Sequence, residues 1–398
     1  MNDNKKKVLI LGGGFGGIKA ALDLSESDHY EVTLISDSDS FRYYPTLYHA
    51  ATGGRLDASR IPLSEIFDRR AVKLINDKAE KIDRNKKTVK TSSGKNYEYD
   101  ALIIALGVVT NYFGIKGLQE YAYGIKSVEE ATRLREHLHK LIIDEGKPDL
   151  NYVVIGGGPT GVELAGALPG YLREIMKRHG IEKRSVHVDL VEAAPRLMPR
   201  MSEKYSRRIA RRLRRLGVKL YLNEVVSAET PDELDLKDGH SIKSHTVIWT
   251  AGVTNHPFFT ANKFQLNERG KVVVDAYLQA EEDIFVIGDN ADTKFSGMAQ
   301  TALYDARFVA ANLKREAHGK LPYSYEPKEP DYVTPVGPNW AAAIIGKFEL
   351  YGILGWFARS AADFIAYHDL EPWWRSSKHW AASNFEGPET CKVCSQKH

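Results

Sequence analysis

The stretch VLILGGGFGGIKAALDL, starting at Val8, constrains this chain more than any other feature, because at Tyr152 it nearly recurs as YVVIGGGPTGVELAGAL. Each copy opens with an apolar run, Val8–Leu11 or Tyr152–Ile155, of the kind that forms a parallel strand buried on both faces. Glycines follow in a G-x-G-x-x-G spacing: Gly12, Gly14 and Gly17, then Gly156, Gly158 and Gly161. A helical pattern rich in Ala and Leu comes next. In such a strand–turn–helix unit the first glycine permits the tight turn and the second lets backbone approach a pyrophosphate. The third lets helix pack on strand, and the helix N-terminus presents free N–H groups to the phosphates. One match is a common turn. Two in the same context predict an α/β fold with two Rossmann-like dinucleotide-binding domains.

At 398 residues the chain is long enough for two domains or more. With 43% hydrophobic residues, 27% charged and a net charge of +3, it is not built as a nucleic-acid binder. The one basic block, RRIARRLRRLG from Arg207, carries Ile209, Leu213 and Leu216 at helical spacing and reads as an amphipathic helix with a solvated arginine face. The only cysteines, Cys391 and Cys394, lie in a charged tail, which excludes a disulfide scaffold and reads as a tail segment or half a zinc site rather than a redox relay. The thirteen histidines show no metal-ligand pattern, and His137 and His139 face different ways on a helix. No metal is therefore expected. The apolar run after Lys5–Lys7 is too short for a signal peptide, and no run of 18 apolar residues predicts a membrane span.

The carboxylate that ends the strand after each loop selects the nucleotide. In SVHVDLVEAAPR that residue is Glu192, which repels a 2′-phosphate and favours NADH, although Arg196 lies nearby. In EVTLISDSDSF the corresponding position is Ser36, with Asp37 one step later, a weaker grip. Two further strands close in small-residue turns, at Ala105-Leu106-Gly107 and at Gly288-Asp289. Asp289 can accept hydrogen bonds from a ribityl chain. The helix beginning near Met298 would aim its N-terminus at a flavin ring. The first site is thus expected to hold FAD in a split domain, residues 1–118 and 269–325. An NADH-binding domain, 119–268, is inserted between them, and 326–398 forms a C-terminal region.

With these stretches in place, the chain resembles the two-dinucleotide-binding flavoproteins and, among them, the type II NADH dehydrogenase family of non-pumping NADH:quinone oxidoreductases. VLILGGGFGG, YYPTLYHAATG, YVVIGGGPTGVELAGAL, VIWTAGV, IFVIGDNAD and MAQTA carry the resemblance in family order over residues 7 to 312. It implies FAD contacts at Gly12, Gly14, Phe15, Gly16, Gly17, Ser36, Asp37, Ala79, Ala105, Leu106, Gly107, Gly288, Asp289, Ala299, Gln300 and Thr301. It implies NADH contacts at Gly156, Gly158, Pro159, Thr160, Gly161, Glu163, Glu192, Ala251 and Gly252. Glu163, on the first turn of its helix, either compensates the helix dipole or lies near the nicotinamide–flavin contact. The family's quinone-side helix reads A-Q-x-A-x-Q. Here Gln300 is kept and Tyr304 stands at the second glutamine, on the same helix face and able to offer its hydroxyl to a quinone carbonyl. Ser36 and Leu106 also depart from the family's acidic residue and threonine. A reductase of a soluble electron carrier or of oxygen, and an NADH-sensing flavoprotein acting through a partner, would share the same loops.

Five of the six tryptophans fall after residue 339. LGWFARSAADFIAYHDLEPWWRSSKHW mixes them with Arg359, Arg375 and Lys378, without a long apolar run. Tryptophan favours the headgroup boundary, and arginine and lysine snorkel there, so the tail reads as a helical segment lying in the surface of a membrane. That places a peripheral protein on the cytoplasmic side. Packing on the protein's own surface, or on a second copy as a homodimer, is the alternative.

Overall fold

The computed structural model describes residues 5–56, 59–143, 151–181, 185–370 and 373–384. Cys391 and Cys394 lie outside the described residues. In chain order the main elements are β1 (Lys6–Leu11), α1 (Phe15–Ser25), β2 (Tyr30–Ser36), α2 (Leu47–Ala51), β3 (Val72–Asn76), β4 (Ala101–Ile104) and α3 (Val128–Ile143). Then come β5 (Asn151–Ile155), α4 (Pro159–Arg178), β6 (His187–Glu192), α5 (Glu203–Arg215), β7 (Val218–Leu222) and β8 (Thr246–Trp249). The rest are β9 (Gln279–Glu281), β10 (Ile284–Val286), α6 (Ala299–Ala317), β11 (Tyr332–Pro335), β12 (Ala341–Ile345), β13 (Phe348–Gly352), α7 (Ile353–His368) and α8 (Trp373–Asn384).

Two separate sheets follow from the two apolar runs. One has the order β9-β10-β4-β1-β2-β3, parallel from β10 to β3, with β9 antiparallel at its edge. The other has the order β7-β6-β5-β8 and is parallel throughout. Each glycine loop thus follows a strand in the middle of its sheet, where the strand order turns back on itself and a crevice opens at the carboxyl ends. All strands of the second sheet lie in the chain between β4 and β10 of the first. Val8, Ile10 and Ile103 pack with Ile18, Ala21 and Val309 in one core; Tyr152, Val154 and Ile248 pack with Leu164, Leu168 and Leu213 in another.

The C-terminal region departs from the expected helical tail. It begins with an antiparallel sheet, β11-β12-β13, and only then turns into α7 and α8. Ala341, Ala342 and Ala343 are fully buried, and a Cβ at Gly355, in the first turn of α7, would lie 2.1 Å from the Ala341 carbonyl. Small residues let helix and sheet close on each other. This packing, which tryptophan content does not reveal, sets α7 against the body of the protein.

Candidate dinucleotide and electron-transfer site

The two loops share one geometry. Gly12 and Gly156 have φ of +107° and +111°, which a side chain would strain. A Cβ at Gly17 would lie 1.9 Å from the Gly12 carbonyl, and one at Gly161 would lie 1.9 Å from the Gly156 carbonyl. A Cβ at Gly14 or Gly158 would meet nothing within 4 Å. The first and third glycines serve the protein's own packing, while the second opens onto space. Gly14 and Gly158 are also the N-caps of α1 and α4, and neither helix has a side-chain cap, which leaves free N–H groups aimed at that space. Phe15 and Gly16 open α1, as Pro159 and Thr160 open α4. Both cradles fit a pyrophosphate.

The strand ends differ. Glu192 is half-buried; its carboxylate accepts the N–H groups of Gly157 and, at 2.7 Å, Ala194. Arg196 spends its guanidinium on the carbonyls of Met201 and Pro199 and on the Ser206 hydroxyl, so it is turned inward. In the first unit Ser36 is buried against Gly13, and Asp37 is exposed. Ala251 packs beside Gly156, and a Cβ at Gly252 would lie 2.5 Å from the Asn111 carbonyl. Ala79 heads a small three-stranded sheet packed on the face of β1 with Leu9 and Leu11.

The turn Ala105-Leu106-Gly107 is tied to Gly288-Asp289-Asn290 by a residue the sequence reading passed over. Asn290, fully buried, accepts the Gly107 N–H at 2.8 Å and donates to the Gly107 carbonyl at 2.6 Å. Its signal was only its place beside Asp289. Asp289 accepts the Gly297 N–H at 2.8 Å, and burial raises its carboxyl above the usual range. Ala299 begins α6, and the Thr301 hydroxyl donates to the Met298 carbonyl at that helix start.

Glu163 does not act as a first-turn dipole partner. It is the fifth residue of α4, and its side chain is 11% exposed. Burial pushes its carboxyl up to about 8, with Arg359 pulling the other way. Arg359, on α7, lies 3.6 Å from Glu163, donates from Nε to Asp363 at 2.7 Å and from Nη2 to the Pro45 carbonyl at 2.9 Å. Asp363 in turn accepts the buried Tyr43 hydroxyl at 2.7 Å. The snorkelling expected of Arg359 is therefore overturned. So is that of Arg375, which reaches the Glu65 carbonyl and Asp68. A buried ion pair with good geometry outweighs solvation of a lone guanidinium.

Gln300 and Tyr304 lie on one face of α6, and both meet the segment that follows it. Gln300 Oε1 accepts the Asp331 N–H at 2.7 Å. The Tyr304 hydroxyl donates to the Glu326 carbonyl at 2.9 Å, and its ring lies under Lys328.

The family described as pyridine nucleotide-disulphide oxidoreductase matches residues 6–306. The type II NADH:quinone oxidoreductase of Mycobacterium tuberculosis is 30% identical over 382 residues, 88% of this chain and 82% of its own length. That of Staphylococcus haemolyticus is 28% identical over 386 residues, 91% of this chain and 95% of its own. Among solved structures, NDH2 from Plasmodium falciparum in complex with NADH superimposes with a TM-score of 0.87 over 98% of this chain and 100% of that one, at 18% identity. The sulfide:quinone oxidoreductase of Aquifex aeolicus does so with a TM-score of 0.77 over 98% of each chain, at 23% identity. Both likenesses are of fold.

Proposed function

We propose, for a chain that belongs to the pyridine nucleotide-disulphide oxidoreductases and within them to the type II NADH:quinone oxidoreductases, that FAD occupies the first cradle and NADH the second. The protein is an NADH:quinone oxidoreductase: it moves a hydride from NADH to FAD and two electrons onward to a quinone, without pumping protons. The observation that carries this reading is the pair of open second glycines, Gly14 and Gly158, each at an uncapped helix start. FAD supplies the ring that accepts a hydride and gives up its electrons in a separate step.

The chain's own residues bind and orient. Glu192 fixes the second loop through two amides and holds the adenosine ribose, and its charge disfavours a 2′-phosphate. Asp289 and the tie between Asn290 and Gly107 hold the ribityl side. Glu163, neutral at its buried position, keeps its proton beside the nicotinamide, while Arg359 and Asp363 balance each other and fasten α7 to α4 and to Tyr43. Gln300 and Tyr304 form the quinone side of α6. Stopped-flow kinetics test the reading: NADH must bleach the bound flavin, and quinone must restore its colour faster than oxygen does. Reoxidation by oxygen alone would leave a soluble acceptor.

Among the described residues no helix is long and apolar enough to cross a membrane. Ile353, Leu354, Phe357 and Ile365 form an exposed stripe along α7, and Phe348 and Trp374 are exposed as well. This stripe supports docking of α7 on the membrane surface, on the cytoplasmic side where NADH is supplied. Leu354→Glu with Phe357→Glu is expected to release the protein from liposomes. Persistence on liposomes, or loss of a dimer in its place, would mark the stripe as a contact between two copies.

A further inference from the structure

Asp305 is the most deeply buried carboxyl of α6, with no solvent exposure, and the reactions described above do not use it. Its two oxygens serve two different parts of the molecule. Oδ2 accepts the N–H of Gly288 at 3.0 Å, in the turn that carries Asp289. Oδ1 accepts the hydroxyl of Tyr325 at 2.6 Å. Tyr325 is fixed by its own backbone N–H on the Ala276 carbonyl, 2.7 Å away, and by the rings of Phe308 and Tyr304. Gly288 lies close against the same helix, since a Cβ there would be 3.2 Å from Ala302. The carboxyl is therefore held, fully buried, against the turn that carries Asp289.

We propose that Asp305 is a redox-linked proton site, taking up a proton when the electron pair from NADH reaches the flavin and giving it back when the pair leaves for the quinone. This rests on the reading of the first cradle as the flavin site. The charges facing Asp305 are Asp289 in the turn, which opposes its ionisation, and Lys271, which favours it; Tyr325 donates to it, and Tyr304 lies beside it on α6. Burial pushes the carboxyl up to about 6. Reduction adds negative charge at the flavin. Asp305 lies six residues, about 9 Å of helix, from the start of α6, and at an effective dielectric of about 20 one added charge at that distance raises proton affinity on the order of tenfold. Between about pH 6 and 7 the carboxyl then holds a proton for a larger share of the time than it does with oxidised flavin. The balance closes over one cycle. NADH would leave NAD and the anion of reduced flavin; that anion, quinone and one proton from solvent would give quinol, while the further proton held by Asp305 is taken from solvent in the first half-reaction and returned to solvent in the second.

The test is a potentiometric titration of the bound flavin as a function of pH, with flavin content measured first. From about pH 6 through neutrality, wild type is expected to take up about one and a half protons per electron pair and Asp305→Asn about one, which lowers the slope of potential against pH by about a third. Tyr325→Phe removes a donor to the ionised carboxylate, so the onset of the steep segment should move to higher pH with flavin content kept. Equal slopes in wild type and Asp305→Asn, or an onset unmoved in Tyr325→Phe, overturn the proposal. Should Asp305→Asn not fold, the onset in Tyr325→Phe decides alone. Absence of flavin from wild type would instead defeat the reading of the first cradle.

Discussion

At Gly12–Gly17 and Gly156–Gly161 the backbone repeats itself, with φ of +107° and +111° at the first glycine and extended conformations at both N-caps, Gly14 and Gly158. A few residues further on the likeness ends. Glu192 closes onto its own loop through two amides, whereas Ser36 is buried and Asp37 stands exposed. The difference teaches that the glycine device specifies only a place for a pyrophosphate. On the proposed reading the choice of nucleotide falls to the strand end, and the ties of Asn290 to Gly107 and of Asp289 to Gly297 supply at the first site what its strand end lacks.

The third glycine should give the largest effect, equal in both loops. Gly17→Ala and Gly161→Ala each force a backbone carbonyl to move and should cost about 4 kcal/mol or more of stability, read from denaturant midpoints. A large inequality between them would break the structural likeness. At the second glycine the fold should survive and the ligands should separate: Gly14→Val is expected to lose most bound flavin. Gly158→Val should keep flavin and lower kcat/KM for NADH at least a hundredfold. If either variant lost both functions, the cradles would not be independent.

At the strand ends the comparison sharpens. Glu192→Ser leaves two amides without their acceptor, a cost of about 1–3 kcal/mol, so kcat/KM for NADH should fall tenfold to a hundredfold while discrimination against NADPH narrows. Asp37→Ser should leave flavin content unchanged.

Glu163 gives a smaller, pH-dependent effect. Its folded value, about 8, lies above that of the unfolded chain, so the native state holds a proton the unfolded state releases, and stability falls as pH rises from about 4.5 to about 8. Glu163→Gln should flatten that part of the profile, measured by denaturation midpoints across the window. A profile unchanged from wild type would mean Glu163 is ionised beside Arg359. The smallest effect is expected of Arg196→Ala, which should cost about 1 kcal/mol and leave the NADH to NADPH ratio alone, since the guanidinium is spent on carbonyls.

The parts legible in sequence were those whose physics is local. A tight turn, a close approach and a helix start all fall within six residues, and so the loops could be read from spacing alone. Glu163 was legible as a residue of interest but not in its state, because its partner Arg359 arrives from a remote helix and no spacing joins positions 163 and 359. Two of the five tryptophans of the tail turn inward while Trp374 is exposed, and no spacing told them apart. Trp380 donates to the Ser360 carbonyl at 2.8 Å and Trp340 packs near Tyr351, so both serve internal packing, while the exposed stripe is made largely of aliphatic side chains and phenylalanine. Composition reports how many rings there are and not which way they face.

The contact of Arg359 on α7 with Glu163 on α4 also bears on the order in which the protein is made. Domains fold as units during synthesis, with the N-terminal parts first. Both glycine loops are complete well before position 359 leaves the ribosome, yet Glu163 and Tyr43 have no charged neighbour until Arg359 and Asp363 arrive. A chain that ends early, by a premature stop or by proteolysis ahead of α7, would therefore carry two folded cradles around an unfinished centre. Loss of the final helices thus removes the partners of Glu163 and Tyr43 as well as the surface that α7 exposes.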